Sequence, residues 1–274
     1  MERKKVTVQY LQQKKRDGKK ITMLTAYDYF MAKIVDEAGI DAILVGDSLG
    51  MVVLGYESTT QVTMDDMIRH AMAARRGVKL ALLIGDMPYK SFDEPAKAIE
   101  NATRFAKEAG CDAVKLEGES CEAAAAIIKR GIPVLGHLGL TPQTALEFKV
   151  QGKDAASAEG ILNGALRLER AGCFAIVLEC IPAELAAIIS SRLTIPAIGI
   201  GAGPDCDGQV LVLNDILGLY DRFMPKFVKR YADLGGMAKG AILNFKKEVE
   251  EKKFPSREHS FIMKKEELAK LSRT

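Results

Sequence analysis

The chain has 274 residues, which is large for one ordinary domain, and 48% of them are hydrophobic. Its 39 basic and 36 acidic residues nearly balance, without the one-sided basic surface of a nucleic-acid binder. No apolar run approaches the ~20 residues that span a bilayer, and no apolar signal-peptide stretch follows the charged N-terminus. Five cysteines, an odd number without a C-x-x-C pair, predict a reduced, cytoplasmic protein without disulfides or zinc.

One structural unit recurs along the chain after a predicted N-terminal helix at residues 5–18. A helical stretch ends at a glycine, and a short apolar strand follows within a few residues. Glycine suits the helix end because it adopts the left-handed backbone conformation without a steric penalty. The five glycines in this position are Gly39, Gly77, Gly110, Gly131 and Gly172.

The apolar runs are nearly continuous, which is typical of parallel strands that are buried on both faces. The predicted strands are residues 21–27, 42–47, 80–86, 113–118, 133–139, 174–180, 196–201 and 209–217. The predicted helices between and after them are residues 28–38, 63–76, 93–109, 121–130, 157–171, 183–192 and 235–251. Thr63 and Asp66 have the spacing of a capping box at the start of one helix.

Eightfold alternation of strand and helix favours an α/β fold, a (β/α)8 TIM barrel with an extra N-terminal helix. An open doubly wound sheet is the alternative, but no G-x-G-x-x-G follows the first strand. We interpret residues 1–274 as a single barrel domain in which residues 252–274 form a polar C-terminal extension with a last short helix.

Charged and imidazole side chains fall at the ends of five successive predicted strands. In this fold the chemistry collects at the carboxyl ends of the strands. Any one aspartate there is often only the cap of the next helix, but several carboxylates at one barrel mouth would repel each other without a cation. Oxygen ligands of this kind suit Mg²⁺ better than zinc. The residues are Asp47, Asp86, Lys115 with Glu117, His137 and Glu179.

Lys115 and Glu117 are two residues apart on one predicted strand. Their side chains should therefore point to the same face. Helices cover the outside of such a barrel, so that face should be the interior. A buried lysine there needs an anion nearby, either Glu117 or the carboxylate of a substrate.

A series of motifs, in order from about residue 20 to 261, resembles the ketopantoate hydroxymethyltransferase family. The motifs are TAYD (25–28), VGDSLG (45–50), KLEG (115–118), GHLGLTPQ (136–143), KVQG (149–152), LEC (178–180), GIGAG (199–203) with DGQ (207–209), and FP (254–255) with EHSF (258–261). The resemblance implies a barrel of the phosphoenolpyruvate/pyruvate type. It also implies transfer of a hydroxymethyl group from 5,10-methylenetetrahydrofolate to 3-methyl-2-oxobutanoate (α-ketoisovalerate), which gives 2-dehydropantoate (ketopantoate) for pantothenate and coenzyme A synthesis.

The same resemblance implies a role for individual residues and an assembly state. Asp47 and Asp86 match the Mg²⁺ ligands, with Glu117 as a third carboxylate on the metal side. Ser48 and Lys115, together with the two aspartates, match the groups that hold the oxo acid. Glu179 matches the general base, and His137 lies in a matching motif as a supporting residue without a firm role. Family members are homo-oligomers, often decamers, with small-molecule substrates and no nucleic-acid or membrane partner.

Two departures from the family pattern stand out. Residues 144–149 form a shorter segment than expected, without a glycine pair before the KVQG motif, and this segment should lie at the active rim. Asn214 stands where a histidine is expected.

Two other functions stay open. One is a magnesium-dependent carbon–carbon lyase or mutase acting on another 2-oxo acid; such enzymes carry a catalytic cysteine after strand four, whereas Cys121 here fits a structural position at a helix start. The other is a metabolite-binding barrel without catalysis.

Overall fold

Eight parallel strands close into a barrel in the computed structural model, which describes residues 3–145, 147 and 149–271. Sheet order follows chain order, and the first strand pairs with both the second and the eighth. The predicted (β/α)8 barrel is therefore confirmed, and the open sheet is excluded. The strands are β1 (Ile21–Thr25), β2 (Ala42–Val45), β3 (Leu82–Asp86), β4 (Ala113–Lys115), β5 (Val134–Gly139), β6 (Ala175–Glu179), β7 (Ala197–Ile200) and β8 (Gly208–Leu211).

Helices surround the barrel and extend it at both ends of the chain. They are α1 (Val8–Arg16), α2 (Tyr29–Glu37), α3 (Leu49–Val52), α4 (Met64–Gly77), α5 (Pro95–Lys107), α6 (Cys121–Ile128), α7 (Ala155–Arg170), α8 (Ala183–Arg192), α9 (Leu213–Ile216), α10 (Leu234–Glu250) and α11 (Lys265–Leu271), with 3-10 turns at Thr59–Gln61 and Arg257–His259. The extra N-terminal helix and the capping box of Thr63 with Asp66 are both confirmed.

The predicted eighth strand, residues 209–217, is wrong over its second half. β8 ends at Leu211, and the chain then turns into the short helix α9. Leu213 opens that helix and donates its backbone N–H to the hydroxyl of Thr25 on β1, 3.0 Å away. Residues 210–213 are all apolar and cross the end of β8 without a break. Such a run cannot separate a buried strand from a short buried helix, so the sequence pattern did not show where the strand ends.

Side chains on the strands alternate between two apolar layers. On β2, Ala42 and Leu44 belong to a core inside the barrel, while Ile43 and Val45 pack outward against the helices. This double burial explains the continuous apolar runs. Along each strand, every second residue faces the interior of the barrel as far as the carboxyl end. That alternation carries the following residues to the carboxyl end of the interior: Asp86 after Leu82 and Ile84, Lys115 after Ala113, His137 after Leu135, and Glu179 after Ala175 and Val177.

The opposite end of the barrel is closed by α1 and the segment before it. Leu11 is buried in the inner core. Lys14 and Lys15 each pair at 2.7 Å with an aspartate that precedes a strand, Asp41 and Asp207 respectively. Both aspartates also accept a backbone N–H from a neighbouring strand residue. The amino end is therefore fixed by structural ion pairs, which leaves the carboxyl end for chemistry.

The C-terminal part of the chain packs little against the barrel. No residue of α10 is buried, and the side chains of Ile242, Phe245 and Val249 are all exposed. Phe254, in the extension that follows, makes an edge contact with Phe245. No helix in the described ranges is long and apolar enough to cross a membrane.

Candidate active site at the carboxyl ends of the strands

A buried ion pair joins the ends of β3 and β4. Asp86 and Lys115 are partners in the strand register, and Lys115 Nζ lies 2.7 and 2.9 Å from the two carboxylate oxygens of Asp86. Burial acts to lower the pKa of Lys115, but the carboxylates of Asp86, Asp47 and Glu117 outweigh it and raise the pKa above its ordinary value. Lys115 is therefore a fixed positive charge inside the mouth.

Asp47 lies beside this pair in the turn after β2. Its backbone N–H donates to Asp86 Oδ2 at 3.2 Å, and its own Oδ2 accepts a hydrogen bond from Gln143 Nε2 at 2.9 Å. Burial and the nearby charge of Asp86 raise the pKa of Asp47 to about 7. The neighbouring residues thus leave this carboxylate without full compensation by positive charge.

Ser48 follows Asp47 at the start of α3, but its hydroxyl does not cap that helix. Instead, Ser48 Oγ lies 2.9 Å from the phenol oxygen of the buried Tyr27. Gly46 packs against Ser48 and Asp86. A Cβ at this position would stand 3.0 Å from Ser48 Oγ and 3.7 Å from Asp86 Oδ2. The glycine therefore leaves the space that Ser48 and Asp86 occupy.

His137 lies between two glutamates in the centre of the mouth. Its Nδ1 is 3.5 Å from Glu117 Oε2, and its Nε2 is 3.3 Å from Glu179 Oε2. Burial and Lys115 act to lower the pKa of His137, but the two glutamates raise it to about 9. Neither ring nitrogen makes a well-formed hydrogen bond to any residue of the described ranges. The imidazolium is therefore held by charge between the two carboxylates.

Glu179 ends β6 with a side chain that is 17% exposed, so it reaches both His137 and the open mouth. The next residue, Cys180, has a left-handed backbone with φ of +48°, which is unusual for a residue with a side chain. Hydrogen bonds from Leu140 N–H to Glu179 O and from Cys180 N–H to Ile200 O hold this bend. The backbone on both sides of Glu179 is thus fixed by the neighbouring strands.

Gln143 is a site residue at the end of the GHLGLTPQ motif for which the sequence alone predicts no role. It follows β5 and is 4% exposed. Its backbone N–H donates to Glu117 Oε1 at 2.8 Å, while its side-chain amide contacts Asp47 and the carbonyl of Met87. Gln143 and Asp47 are 96 positions apart, and no local pattern in the sequence signals such a contact.

All six predicted strand-end residues therefore meet at one end of the barrel, and Ser48 lies beside them. Asn214 is placed differently. It lies in α9, where its side chain donates to Val52 O at 3.4 Å, and within the described ranges no hydrogen bond joins it to the six residues. The shortened segment 144–149 includes positions 146 and 148, which lie outside the described residues.

A cavity of about 410 Å³ lies beside the bend at Glu179. The cavity is lined by residues of the shortened segment 144–149 and by residues before and after it. The segment therefore borders the active rim. The lining residues are Gly139, Leu140, Thr141, Ala145, Glu147, Lys149 and Gln151.

The charges at the mouth fit a divalent cation with oxygen ligands. The carboxylates of Asp47, Asp86, Glu117 and Glu179 face the two cationic groups Lys115 and His137. With all four carboxylates ionised, as they would be around a bound cation, two negative charges are left over. The described ranges hold no ready-made group of three or more His, Cys, Asp or Glu side chains in metal-binding geometry. Lys115 engages both oxygens of Asp86. The donor set therefore suits a metal in type and charge, while Asp86 would share its oxygens with Lys115.

Cys121 opens α6 and is half-buried. Burial and the neighbouring Glu119 raise the pKa of its thiol. Both effects disfavour the thiolate, the form of cysteine that acts as a nucleophile.

Comparison with known proteins identifies one family whose members match most of the chain. Residues 5–257 match the family profile described as ketopantoate hydroxymethyltransferase. A protein named 3-methyl-2-oxobutanoate hydroxymethyltransferase from Syntrophomonas wolfei subsp. wolfei is 53% identical over 273 residues, covering 97% of this chain and 99% of the relative. One of the same name from Acetivibrio thermocellus is 54% identical over 267 residues, covering 95% and 94%.

Two solved structures illustrate the likeness in fold. Phosphonopyruvate hydrolase in complex with oxalate and Mg²⁺ aligns with a TM-score of 0.60 at 14% identity, covering 93% of each chain. The 2,3-dimethylmalate lyase of the PEP mutase/isocitrate lyase superfamily aligns with a TM-score of 0.59 at 14% identity, covering 97% of this chain and 98% of that one. At this identity the likeness concerns the barrel alone.

Proposed function

Because this chain belongs to the ketopantoate hydroxymethyltransferase family, we propose that it transfers a hydroxymethyl group from 5,10-methylenetetrahydrofolate to 3-methyl-2-oxobutanoate. The product is 2-dehydropantoate, the precursor for pantothenate and coenzyme A. The observation that carries this proposal is a connected set of contacts at one barrel mouth. Asp86 contacts both Asp47 and Lys115, Gln143 links Asp47 to Glu117, and His137 lies between Glu117 and Glu179. Such a set provides metal ligands, a cation for a carboxylate and a base within one site.

The metal in this proposal is Mg²⁺, held by Asp47 and Asp86 with Glu117 as the third carboxylate. Oxygen ligands and the two uncompensated negative charges favour it. When bound, Mg²⁺ supplies Lewis-acid polarisation of the keto group of the oxo acid, which acidifies the C3 proton.

In this proposal Lys115 and Ser48 bind the oxo acid, together with Asp47 and Asp86. Lys115 is a buried positive charge, so it can neutralise the substrate carboxylate where water is excluded. The Ser48 hydroxyl is free of a capping role and is oriented by Tyr27. Both groups fix the orientation of the oxo acid before any bond changes.

Glu179 is the proposed general base. Its carboxylate is partly exposed to the mouth and is backed by His137. Glu179 takes the proton from C3 of the oxo acid. Water releases the methylene carbon from the two folate nitrogens as formaldehyde, which leaves tetrahydrofolate. The C3 carbon then attacks the formaldehyde carbon, and the formaldehyde oxygen takes up a proton to become the hydroxyl of 2-dehydropantoate. The neighbouring cavity of about 410 Å³ is the proposed entrance for the folate, since its lining includes Gly139, which pairs with Glu179 in the sheet.

A lyase or mutase on another 2-oxo acid is less well supported. The solved structures of such enzymes share only the fold at 14% identity. The raised pKa of Cys121 also gives no activated thiol at the position where a catalytic cysteine would be needed.

We propose that the chain forms a homo-oligomer, with the decamer of the family resemblance as the expected size. The exposed apolar side chains Ile242, Phe245 and Val249 share one face of α10 at spacings of three and four residues. An apolar helical face of this length is typical of a contact with another subunit. The free thiols of all five cysteines accord with the proposed cytoplasmic location.

The direct test is an assay with purified protein, 3-methyl-2-oxobutanoate, 5,10-methylenetetrahydrofolate and Mg²⁺. Mass spectrometry should detect 2-dehydropantoate, and removal of either substrate, or of Mg²⁺ with a chelator, should abolish it. A folded protein that binds the oxo acid and Mg²⁺ but forms no product would instead indicate a metabolite-binding barrel.

A further inference from the structure

Gln143 connects two carboxylates of the site through different parts of one residue. The side-chain amide donates to Asp47 Oδ2 at 2.9 Å and to Met87 O at 3.0 Å. The backbone N–H donates to Glu117 Oε1 at 2.8 Å. The residue is 4% exposed, so water does not compete freely for these bonds.

The orientation of the Gln143 amide is unambiguous. One of its partners, Met87 O, is a backbone carbonyl and can only accept a hydrogen bond, and the ionised carboxylate of Asp47 is likewise only an acceptor. The NH₂ group must therefore face them, and both of its hydrogens are used. Because Met87 O belongs to the backbone just after β3, the amide is anchored to the barrel itself and transmits that fixed position to Asp47.

These bonds also decide which carboxylate oxygens are left for a ligand. Gln143 engages Oδ2 of Asp47, and within the described ranges no residue donates to Oδ1. On Glu117, Oε1 is taken by the backbone of Gln143, while Oε2 faces His137. Each carboxylate is thus held in one rotational position. Fixed carboxylates bind a cation more tightly than free ones, because less conformational freedom is lost on binding.

We propose that Gln143 is a positioning residue that sets Asp47 and Glu117 for the cation and links the loop after β5 to the metal site. This inference rests on the proposed magnesium function. Gln143 lies among residues 140–145 after β5, and Leu140, Thr141 and Ala145 line the proposed folate cavity. In this proposal metal binding and the conformation of residues 140–145 are coupled, so each stabilises the other.

The test replaces Gln143 with methionine, which keeps the length of the side chain but removes both donors. Calorimetric titration with MgCl₂, without substrate, should show affinity reduced ~10–100-fold, the usual loss when a partner of a metal ligand is removed. Saturating Mg²⁺ should restore kcat to within a few-fold of wild type, because the reacting groups remain. Hydrogen exchange at residues 140–145 should slow on Mg²⁺ addition in wild type and respond less in the variant.

Gln13→Met is the matched control. Gln13 Nε2 also donates to an aspartate, Asp17 Oδ1 at 2.6 Å, but it is exposed on α1 at the opposite end of the barrel. Loss of Mg²⁺ affinity in Gln143→Met alone supports the inference. Equal affinities of wild type and Gln143→Met, or equal losses in both variants, overturn it. Absence of Mg²⁺ binding by the wild type overturns the proposed metal function, and this inference with it.

Discussion

Lys115 Nζ bridges both oxygens of Asp86 at 2.7 and 2.9 Å, inside a mouth where Asp86 is also a proposed metal ligand. Lys115 and the cation therefore compete for one carboxylate. Lys115→Gln should weaken binding of the oxo acid ~10–100-fold, the value of a charged hydrogen bond, yet leave Mg²⁺ affinity without substrate unchanged or higher. Calorimetry with each ligand separately measures both. A parallel loss of the two affinities would show that Lys115 serves only to hold the site together.

Substitutions of Asp47 and Asp86 should both weaken metal binding but differ in their effect on stability. Asp47→Asn and Asp86→Asn should both fold and both bind Mg²⁺ far more weakly, which titration calorimetry measures. Asp86→Asn should also melt at a lower temperature, because it leaves Lys115 buried without its partner, at a cost of about 3–5 kcal/mol in the free energy of unfolding.

Asp65→Asn, which removes a carboxylate paired with Arg104 at the exposed surface, is the control for both measurements. An unchanged Mg²⁺ titration in Asp47→Asn and Asp86→Asn would refute the metal assignment.

The alternation of side chains made much of the site predictable from sequence. Asp86, Lys115, His137 and Glu179 continue the inner apolar positions of their strands, so period-two counting placed them in the interior. Glu117 keeps this phase although β4 ends at Lys115.

The remaining contacts arise from tertiary structure, which local patterns do not encode. Gln143 reaches Asp47 across 96 positions, and Tyr27 reaches Ser48 across 21. Helices α3 and α9, with four residues each, are too short for a helical period to appear. The unbroken apolar residues 210–213 therefore read as one strand across the end of β8.

Acid sensitivity should depend partly on Asp36. Burial acts to raise the pKa of this carboxylate, but hydrogen bonds from the backbone N–H groups of Ala81, Lys79 and Leu80 outweigh it and hold the pKa below the ordinary 3.8. A lowered folded-state pKa stabilises the protein fully above the unfolded value, and this stabilisation is lost as the pH falls through the folded value.

Asp36→Ala should reduce the free energy of unfolding by about 2–4 kcal/mol near neutral pH, since three N–H groups lose their acceptor. The difference from wild type should shrink below about pH 4. Denaturant titrations from pH 3 to 7 measure it, with the exposed Asp221→Asn as control. A difference that is constant over this range would contradict the role of ionised Asp36.

The apolar face of α10 should mediate assembly. Light scattering at micromolar concentration should show an oligomer, and Ile242→Glu should shift it to smaller species, because a charge would be buried at the contact. Asn244 lies about half a helical turn away from Ile242, so Asn244→Glu should leave the size unchanged. A wild-type monomer would contradict the proposed assembly.

The role of Glu179 can be tested without carbon transfer. If Glu179 removes the C3 proton, the protein with Mg²⁺ should exchange that proton of 3-methyl-2-oxobutanoate with D₂O, as proton NMR can follow. Loss of a general base typically costs ~10²–10⁴ in rate, so Glu179→Gln should nearly abolish the exchange. Oxo-acid binding should persist by calorimetry, because Lys115, Asp47 and Asp86 remain.

The Glu179→Gln substitution should remove the base without moving the side chain, because the backbone bend after Glu179 is fixed. Glutamine has the shape of glutamate, and the fixed backbone at Cys180 and Leu140 keeps the side chain aimed at the mouth. Glu184→Gln, an exposed change on α8, should exchange at the wild-type rate. Exchange by Glu179→Gln at that rate would transfer the role of base to another group, and His137, 3.3 Å away, is the next to test. No exchange by the wild type, with or without folate, would exclude enolisation as the first step.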